Sequence, residues 1–147
     1  MTENNHIAER LEKVVSINLH IVWLTKNRKN ILVGDVSRKT REIIRQMCER
    51  KSVVIKQGVI SKDHVRLFVS LPSKICVDNF VQQLKGKTSH VLMTSFEYLR
   101  QQFWRQQIWA QGYFCYSTGD VSDSDIQGYI DSHAPEPEQA PEEAVAE

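Results

Sequence analysis

A histidine and an arginine two residues apart form the first pair of side chains in this sequence that could do chemistry. If residues 64–71 form a strand, its two-residue period sends Val65, Leu67 and Val69 to one face and His64 and Arg66 to the other. Two neighbouring side chains that can each carry a positive charge form a potential binding surface for an anion or a metal ion. The alternative is structural: a histidine hydrogen-bonded at a sheet surface beside a solvated arginine.

A tyrosine and a histidine near the C-terminus form a second pair. Tyr129 and His133 are four residues apart, which on a helix places them one turn apart on one face, while Ile126 and Ile130 are predicted to face the core. A tyrosine hydroxyl can act as a nucleophile when a metal or cation lowers the cost of its ionisation, and a histidine one turn away can ligate that metal. The alternative is a half-buried tyrosine whose hydroxyl is solvated.

Hydrophobic periodicity predicts the elements that would position these side chains. Strands are expected over residues 14–23, 52–60, 65–71 and 113–116, and helices over 36–51, from 77 to the Lys85-Gly86-Lys87 segment, and over 91–102. Ser122 and Asp125 resemble a capping box that opens a last helix. This order is typical of an α+β ferredoxin-like sandwich, with an antiparallel sheet of four to five strands, helices on one face and a C-terminal tyrosine-bearing helix.

Length and composition indicate one soluble domain. The chain has 147 residues with ordinary globular hydrophobic and charged fractions, and no apolar run approaches the roughly 20 residues of a membrane helix. No secretion signal is recognisable at the N-terminus, so we expect a cytoplasmic protein without a membrane partner. The three cysteines are too few and too widely spaced to suggest a disulfide framework or a zinc motif.

The charge is distributed unevenly along the chain. Residues 134–147 contain five glutamates and no lysine or arginine, so the remaining 133 residues carry a net charge of +6. We therefore expect an N-terminal arm over residues 1–13, a folded domain over 14–133 and a disordered acidic tail over 134–147. A moderately basic body is compatible with a nucleic-acid partner.

Five motifs in register resemble one family. They are Ile17-Asn18-Leu19-His20-Ile21-Val22-Trp23, Asp63-His64-Val65-Arg66-Leu67-Phe68-Val69, Leu84-Lys85-Gly86-Lys87-Thr88-Ser89, Trp109-Ala110-Gln111-Gly112-Tyr113-Phe114 and Ile126-Gln127-Gly128-Tyr129-Ile130. In order and spacing they resemble the small single-tyrosine HUH transposases of bacterial insertion sequences, the IS200-like family. The resemblance spans nearly all of residues 14–133.

The resemblance implies a specific chemistry and specific site residues. Such transposases are homodimers that bind hairpins in single-stranded DNA, cut with a tyrosine and hold the DNA as a 5′-phosphotyrosine. Tyr129 matches the nucleophile, His64 matches the first histidine of the HUH motif, and His133 stands where the family usually has a glutamine ligand. These matches imply a Mg²⁺ or Mn²⁺ site at His64 and His133, and no organic cofactor.

Arg66 departs from the family pattern because it occupies the position of the second histidine. A guanidinium has no free lone pair and cannot ligate a cation. Two hypotheses follow. In the first, His64 and His133 keep a weak metal site while Arg66 contacts the scissile phosphate. In the second, the site no longer cuts and the protein is a single-stranded, hairpin DNA-binding protein.

Further basic side chains are candidate DNA contacts. Lys26, Arg28 and Lys29 form a cationic turn, while Lys85 and Lys87 flank a glycine. Arg105 lies near two tryptophans and could grip a phosphate beside a stacked base. The alternative for each is a solvated charge.

Overall fold

The computed structural model describes residues 16–104, 107–117 and 123–133. The predicted arm over 1–13, the predicted tail over 134–147 and Ser122 of the predicted capping box lie outside these residues. The elements are β1 (Ile17–Leu24), α1 (Gly34–Arg50), β2 (Val54–Ser61), β3 (His64–Leu71), α2 (Val77–Ser95), α3 (Glu97–Gln102), β4 (Phe114–Ser117) and α4 (Asp123–Asp131). None of the helices in these ranges is both long and apolar enough to cross a lipid bilayer.

The described strands form one antiparallel sheet in the order β2-β3-β1-β4. The register between the two central strands places His64 opposite Leu24 and Arg66 opposite Val22. The first residues of β3 therefore lie beside the last residues of β1, at one end of the two central strands. The predicted hairpin is confirmed, since β2 pairs with β3 through the intervening Lys62 and Asp63.

The two faces of the sheet carry separate apolar clusters. On one face, alternate residues of β1 and β3 such as Ile21 and Val69 pack with α1 and α2 in the main core. On the other face, Val22 and Leu24 pack with Ile126 and Ile130 of α4. The predicted ferredoxin-like α+β fold is confirmed, with the C-terminal helix on the face opposite to α1 and α2.

The helix predicted over residues 91–102 is wrong as a single element. α2 passes through Gly86, which is exposed and has no positive φ, and continues because Thr88 and Leu92 extend its buried stripe to Ser95. Phe96 then adopts an extended conformation (φ −124°, ψ 105°), which ends α2 and starts the short α3. The Lys85-Gly86-Lys87 segment is therefore interior to a helix.

Candidate active site

β3 places His64 and Arg66 on the sheet face that α4 partly covers. Burial alternates along the strand, so that Val65 and Leu67 are fully buried in the main core while His64 and Arg66 are half-buried on the opposite side. Arg66 lines a small cavity of about 90 Å³ on this face, together with His20 and Gln57. As predicted, His64 and Arg66 lie on the same face of the strand.

A carboxylate immediately before the strand orients His64. The Nδ1 atom of His64 lies 2.8 Å from Oδ1 of Asp63. An ionised carboxylate only accepts hydrogen bonds, so Nδ1 carries the hydrogen and the lone pair of neutral His64 is on Nε2. Burial alone would raise the pKa of Asp63, but hydrogen bonds and charge interactions with His64 and Arg28 outweigh it and lower that pKa. Asp63 is therefore ionised at neutral pH.

Arg28 connects this carboxylate to the tyrosine helix. Its Nε donates to Oδ2 of Asp63 at 3.1 Å, and its Nη1 donates to the carbonyl oxygens of Ile130 at 3.4 Å and His133 at 3.3 Å. Asn27 and Arg28 both have positive φ (57° and 54°), and the Lys29 amide closes the turn on the Lys26 carbonyl. This left-handed turn brings the guanidinium back toward the sheet, a conformation that costs about 1 kcal/mol for a residue with a side chain.

α4 carries Tyr129 in its last turn, and His133, predicted on the same helix, follows two residues after the helix ends. The Tyr129 ring stacks on Phe114 of β4 with centroids 4.9 Å apart, and it lies 4.8 Å from the His133 ring. Nδ1 of His133 is 3.1 Å from the Tyr129 carbonyl oxygen, which can only accept, so the lone pair of neutral His133 is also on Nε2. Burial raises the pKa of Tyr129, which makes the phenolate scarcer than for a free tyrosine.

One hydrogen-bonded chain therefore joins the two predicted histidines. It runs from His64 through Asp63 and Arg28 to the backbone of His133, all within one chain. With Nδ1 of each imidazole donating, Nε2 of each is left as the atom that could ligate a divalent ion. In the described ranges no cluster of three or more His, Cys, Asp or Glu side chains is placed to hold a metal. An ion held by two imidazoles would complete its coordination with phosphate oxygens and water.

The predicted DNA-contact residues are placed very differently from one another. Lys87 is exposed on α2, whereas the neighbouring Lys85 is only 3% exposed and donates to the carbonyl oxygens of Ala110 and Gly112. Arg28, a predicted DNA contact in the cationic turn, pairs with Asp63. Lys26 and Lys29 in that turn are half-buried, and Arg105 lies outside the described residues. Arg28 is thus half-buried and Lys85 is buried, and DNA contact by these two residues stays a prediction.

Two residues of the site were missed by the sequence reasoning. Asp63 orients His64, and its position directly before the strand histidine, in a two-residue hairpin turn, is a signal that could have identified it. Phe114 supports the Tyr129 ring, but nothing in its spacing from α4 indicates that contact.

Comparisons with known proteins agree on one family. The family model described as "Transposase IS200 like" matches residues 13–133. The transposase for insertion sequence element IS200 of Salmonella typhimurium is 32% identical over 111 residues, which is 76% of this chain and 72% of that protein. The ISDra2 transposase TnpA of Deinococcus radiodurans is 25% identical over 119 residues, covering 81% of this chain and 85% of that protein.

Two solved structures have a similar fold. A crystal structure of a candidate transposase from Deinococcus radiodurans R1 superposes with a TM-score of 0.76 at 23% identity, covering 82% of this chain and 93% of the other. A REP-associated tyrosine transposase bound to a REP hairpin gives a TM-score of 0.55 at 14% identity, covering 78% of this chain and 62% of that one.

Proposed function

The chain belongs to the IS200-like transposase family, and on this premise we propose that it binds hairpins in single-stranded DNA at insertion-sequence ends and performs strand cleavage and transfer. Tyr129 is the proposed nucleophile. Its hydroxyl loses a proton as the oxygen bonds to a backbone phosphorus, the bond from that phosphorus to the 3′-oxygen breaks, and the 3′-oxygen takes up a proton and leaves as a 3′-hydroxyl. A second 3′-hydroxyl then attacks the 5′-phosphotyrosine and reverses the step. Because one phosphodiester bond replaces another each time, neither ATP nor an organic cofactor is needed.

The observation that carries this proposal is the hydrogen-bonded chain from His64 to the backbone of His133. It ties the strand histidine to the helix that bears Tyr129, and α4 packs against the sheet of its own chain. In the proposed homodimer, α4 serves either the histidine strand of its own subunit, against which it packs in this chain, or that of the partner subunit. Support for a hairpin substrate comes from the structural neighbour that is bound to a REP hairpin.

His64 and His133 are the proposed ligands of a weakly held Mg²⁺ or Mn²⁺. When bound, the ion supplies Lewis-acid polarisation of the phosphoryl oxygens and a template for in-line attack. Arg66 replaces the second strand histidine and contributes its positive charge directly to the phosphate, because a guanidinium donates to phosphate oxygens but cannot ligate a cation. Positive charge close to the phosphate stabilises the charge that develops there in the transition state.

A second function, binding without cleavage, is favoured by two features of the site. Arg66 stands in place of a ligand, and burial raises the pKa of the proposed nucleophile, Tyr129. A protein of this kind would retain hairpin recognition and leave no covalent product. The two functions make opposite predictions in one experiment.

The test is incubation of the protein with a hairpin-bearing single-stranded oligonucleotide and Mn²⁺, followed by denaturing gel electrophoresis. We expect a covalent protein–DNA adduct that is lost in Tyr129→Phe and retained in the control Tyr98→Phe, an exposed tyrosine on α3. An adduct that persists in Tyr129→Phe refutes the nucleophile assignment. Tight binding with no adduct in any divalent metal supports the binding function instead.

A further inference from the structure

A polar cavity lies between α2 and the segment that precedes β4. Its volume is about 530 Å³, and its walls include two lysines and three glutamines: Lys26, Lys85, Gln82, Gln107 and Gln111. Among the residues that the structure describes, no aspartate or glutamate lines it. The cavity therefore combines positive charge with amide donors and acceptors.

Lys85 is a buried cation at the wall of this cavity. Its side chain is almost wholly removed from solvent, and its Nζ donates to the carbonyl oxygens of Ala110 at 2.8 Å and Gly112 at 2.9 Å. Among the described residues no carboxylate forms an ion pair with it. Carbonyl oxygens accept two of the three N–H donors of this ammonium. Because these acceptors are uncharged, they do not neutralise its positive charge.

Backbone and side-chain contacts around the cavity stabilise Lys85 in this position. Gly112 has a φ of +84°, a left-handed conformation that glycine adopts without strain, and this turn contributes one of the two carbonyl groups. The Trp109 indole donates to the Lys85 carbonyl oxygen and to Oγ1 of Thr88, which fixes the segment against α2. Burying an unneutralised ammonium is costly, and burial lowers the pKa of Lys85. A bound anion would remove much of that cost.

We propose that this cavity binds a phosphate group of single-stranded DNA, with Lys85 as the buried cation that receives it and the glutamines as partners for the adjoining base or sugar. The proposal rests on the proposed function, since it assumes a DNA strand at the tyrosine helix. Ala110 joins the two sites: its carbonyl oxygen accepts from Lys85, and its side chain packs on the cluster formed by Val22, Leu24 and α4. The cavity and the cluster that holds α4 therefore share Ala110.

The first test uses the wild-type protein with lysine labelled at the side-chain nitrogen. The buried Lys85 ammonium gives an NMR signal that exchanges slowly, and Lys85→Arg assigns it. We expect this signal to shift saturably with a hairpin-bearing oligonucleotide, and more weakly with inorganic phosphate or a nucleoside 5′-monophosphate. A shift with phosphate or the monophosphate but not with the oligonucleotide overturns the assignment to DNA and leaves a free-anion pocket.

The second test measures oligonucleotide affinity against salt concentration. Lys85→Met should weaken binding about tenfold or more and reduce the salt slope by about 0.7, the value for one phosphate contact on a single strand. The control is Lys39→Met, an α1 lysine on the surface that pairs with Glu42. A folded Lys85→Met protein that binds like wild type overturns the inference but leaves the proposed function standing. An oligonucleotide that does not bind the wild-type protein overturns both.

Discussion

Removing the Arg28 side chain should detach the tyrosine helix from the strand histidine. In Arg28→Ala, Asp63 loses the guanidinium that pairs with it, and the carbonyl oxygens of Ile130 and His133 lose their donor. These bonds form a tether that connects Asp63, which precedes β3, to Ile130 in the last turn of α4 and to His133 beyond it, so their loss affects both stability and the site. We expect a lower free energy of unfolding and a lower yield of the covalent DNA adduct.

The size of the effect follows from the geometry of the three bonds. The pair with Asp63 is largely buried, with side-chain exposures of 20% for Arg28 and 16% for Asp63, and such a charged hydrogen bond contributes about 1.5–3 kcal/mol. The two carbonyl bonds are long, at 3.3 and 3.4 Å, and contribute about 0.5 kcal/mol each. The expected loss for Arg28→Ala is therefore about 2.5–4 kcal/mol.

Backbone strain separates two versions of this substitution. Arg28 has a φ of 54°, which is unfavourable for alanine as well as for arginine but not for glycine. Arg28→Gly should therefore be about 1 kcal/mol more stable than Arg28→Ala, although both lack the guanidinium. Asn27→Gly, at the adjacent left-handed position, is the control that changes the backbone without removing the tether.

The effect should also depend on pH. The folded-state pKa of Asp63 is lowered, so its contribution is present above the unfolded value of about 3.9 and is lost as the pH falls through the folded value. Urea unfolding of wild type, Arg28→Ala, Asp63→Asn and the double variant measures the coupling. A coupling below about 0.5 kcal/mol at pH 7, or one that does not shrink at acid pH, would refute the reasoning.

The remaining predictions concern single residues. Arg66→His should raise divalent-metal affinity and adduct yield together, measured by metal titration and denaturing gels. No gain in either would show that the absence of a histidine at position 66 does not limit metal binding or cleavage. Gly112→Ala should lower the free energy of unfolding by about 1–2 kcal/mol because of its left-handed φ, whereas Gly86→Ala on α2 should stabilise slightly. Trp109→Phe should cost about 1–3 kcal/mol in the same denaturation assay by leaving the buried Thr88 hydroxyl and Lys85 carbonyl without the indole donor, and an unchanged midpoint would contradict that role.

Periodicity in the sequence was enough to predict the sheet and the faces of its strands. The alternation from His64 to Leu71 appears in the structure as alternating burial, because one side of β3 packs on the main core. The positions of Ile126 and Ile130 toward an apolar cluster were likewise predictable from helical spacing. These features depend on local pattern, which the sequence contains directly.

The half-buried, paired position of Arg28 and the buried position of Lys85 were not predictable in this way. Arg28 points inward because two consecutive residues adopt positive φ, a backbone choice that neither asparagine nor arginine specifies in advance. Lys85 is buried because carbonyl groups 25 and 27 residues further along the chain accept its hydrogen bonds. Such long-range contacts are properties of the assembled tertiary structure. From residue type alone, a lysine or arginine is expected to be exposed to solvent.

The division of the apolar side chains into two clusters has a consequence for local stability. The larger cluster holds the sheet to α1 and α2, whereas α4 is attached through two buried isoleucines, the Tyr129 stack and the Arg28 bonds. Hydrogen exchange under native conditions should therefore report a lower opening free energy for the amides of α4 than for those of β1 and β3. The segment that bears the tyrosine can then undock as a subglobal unit while the rest of the domain remains intact.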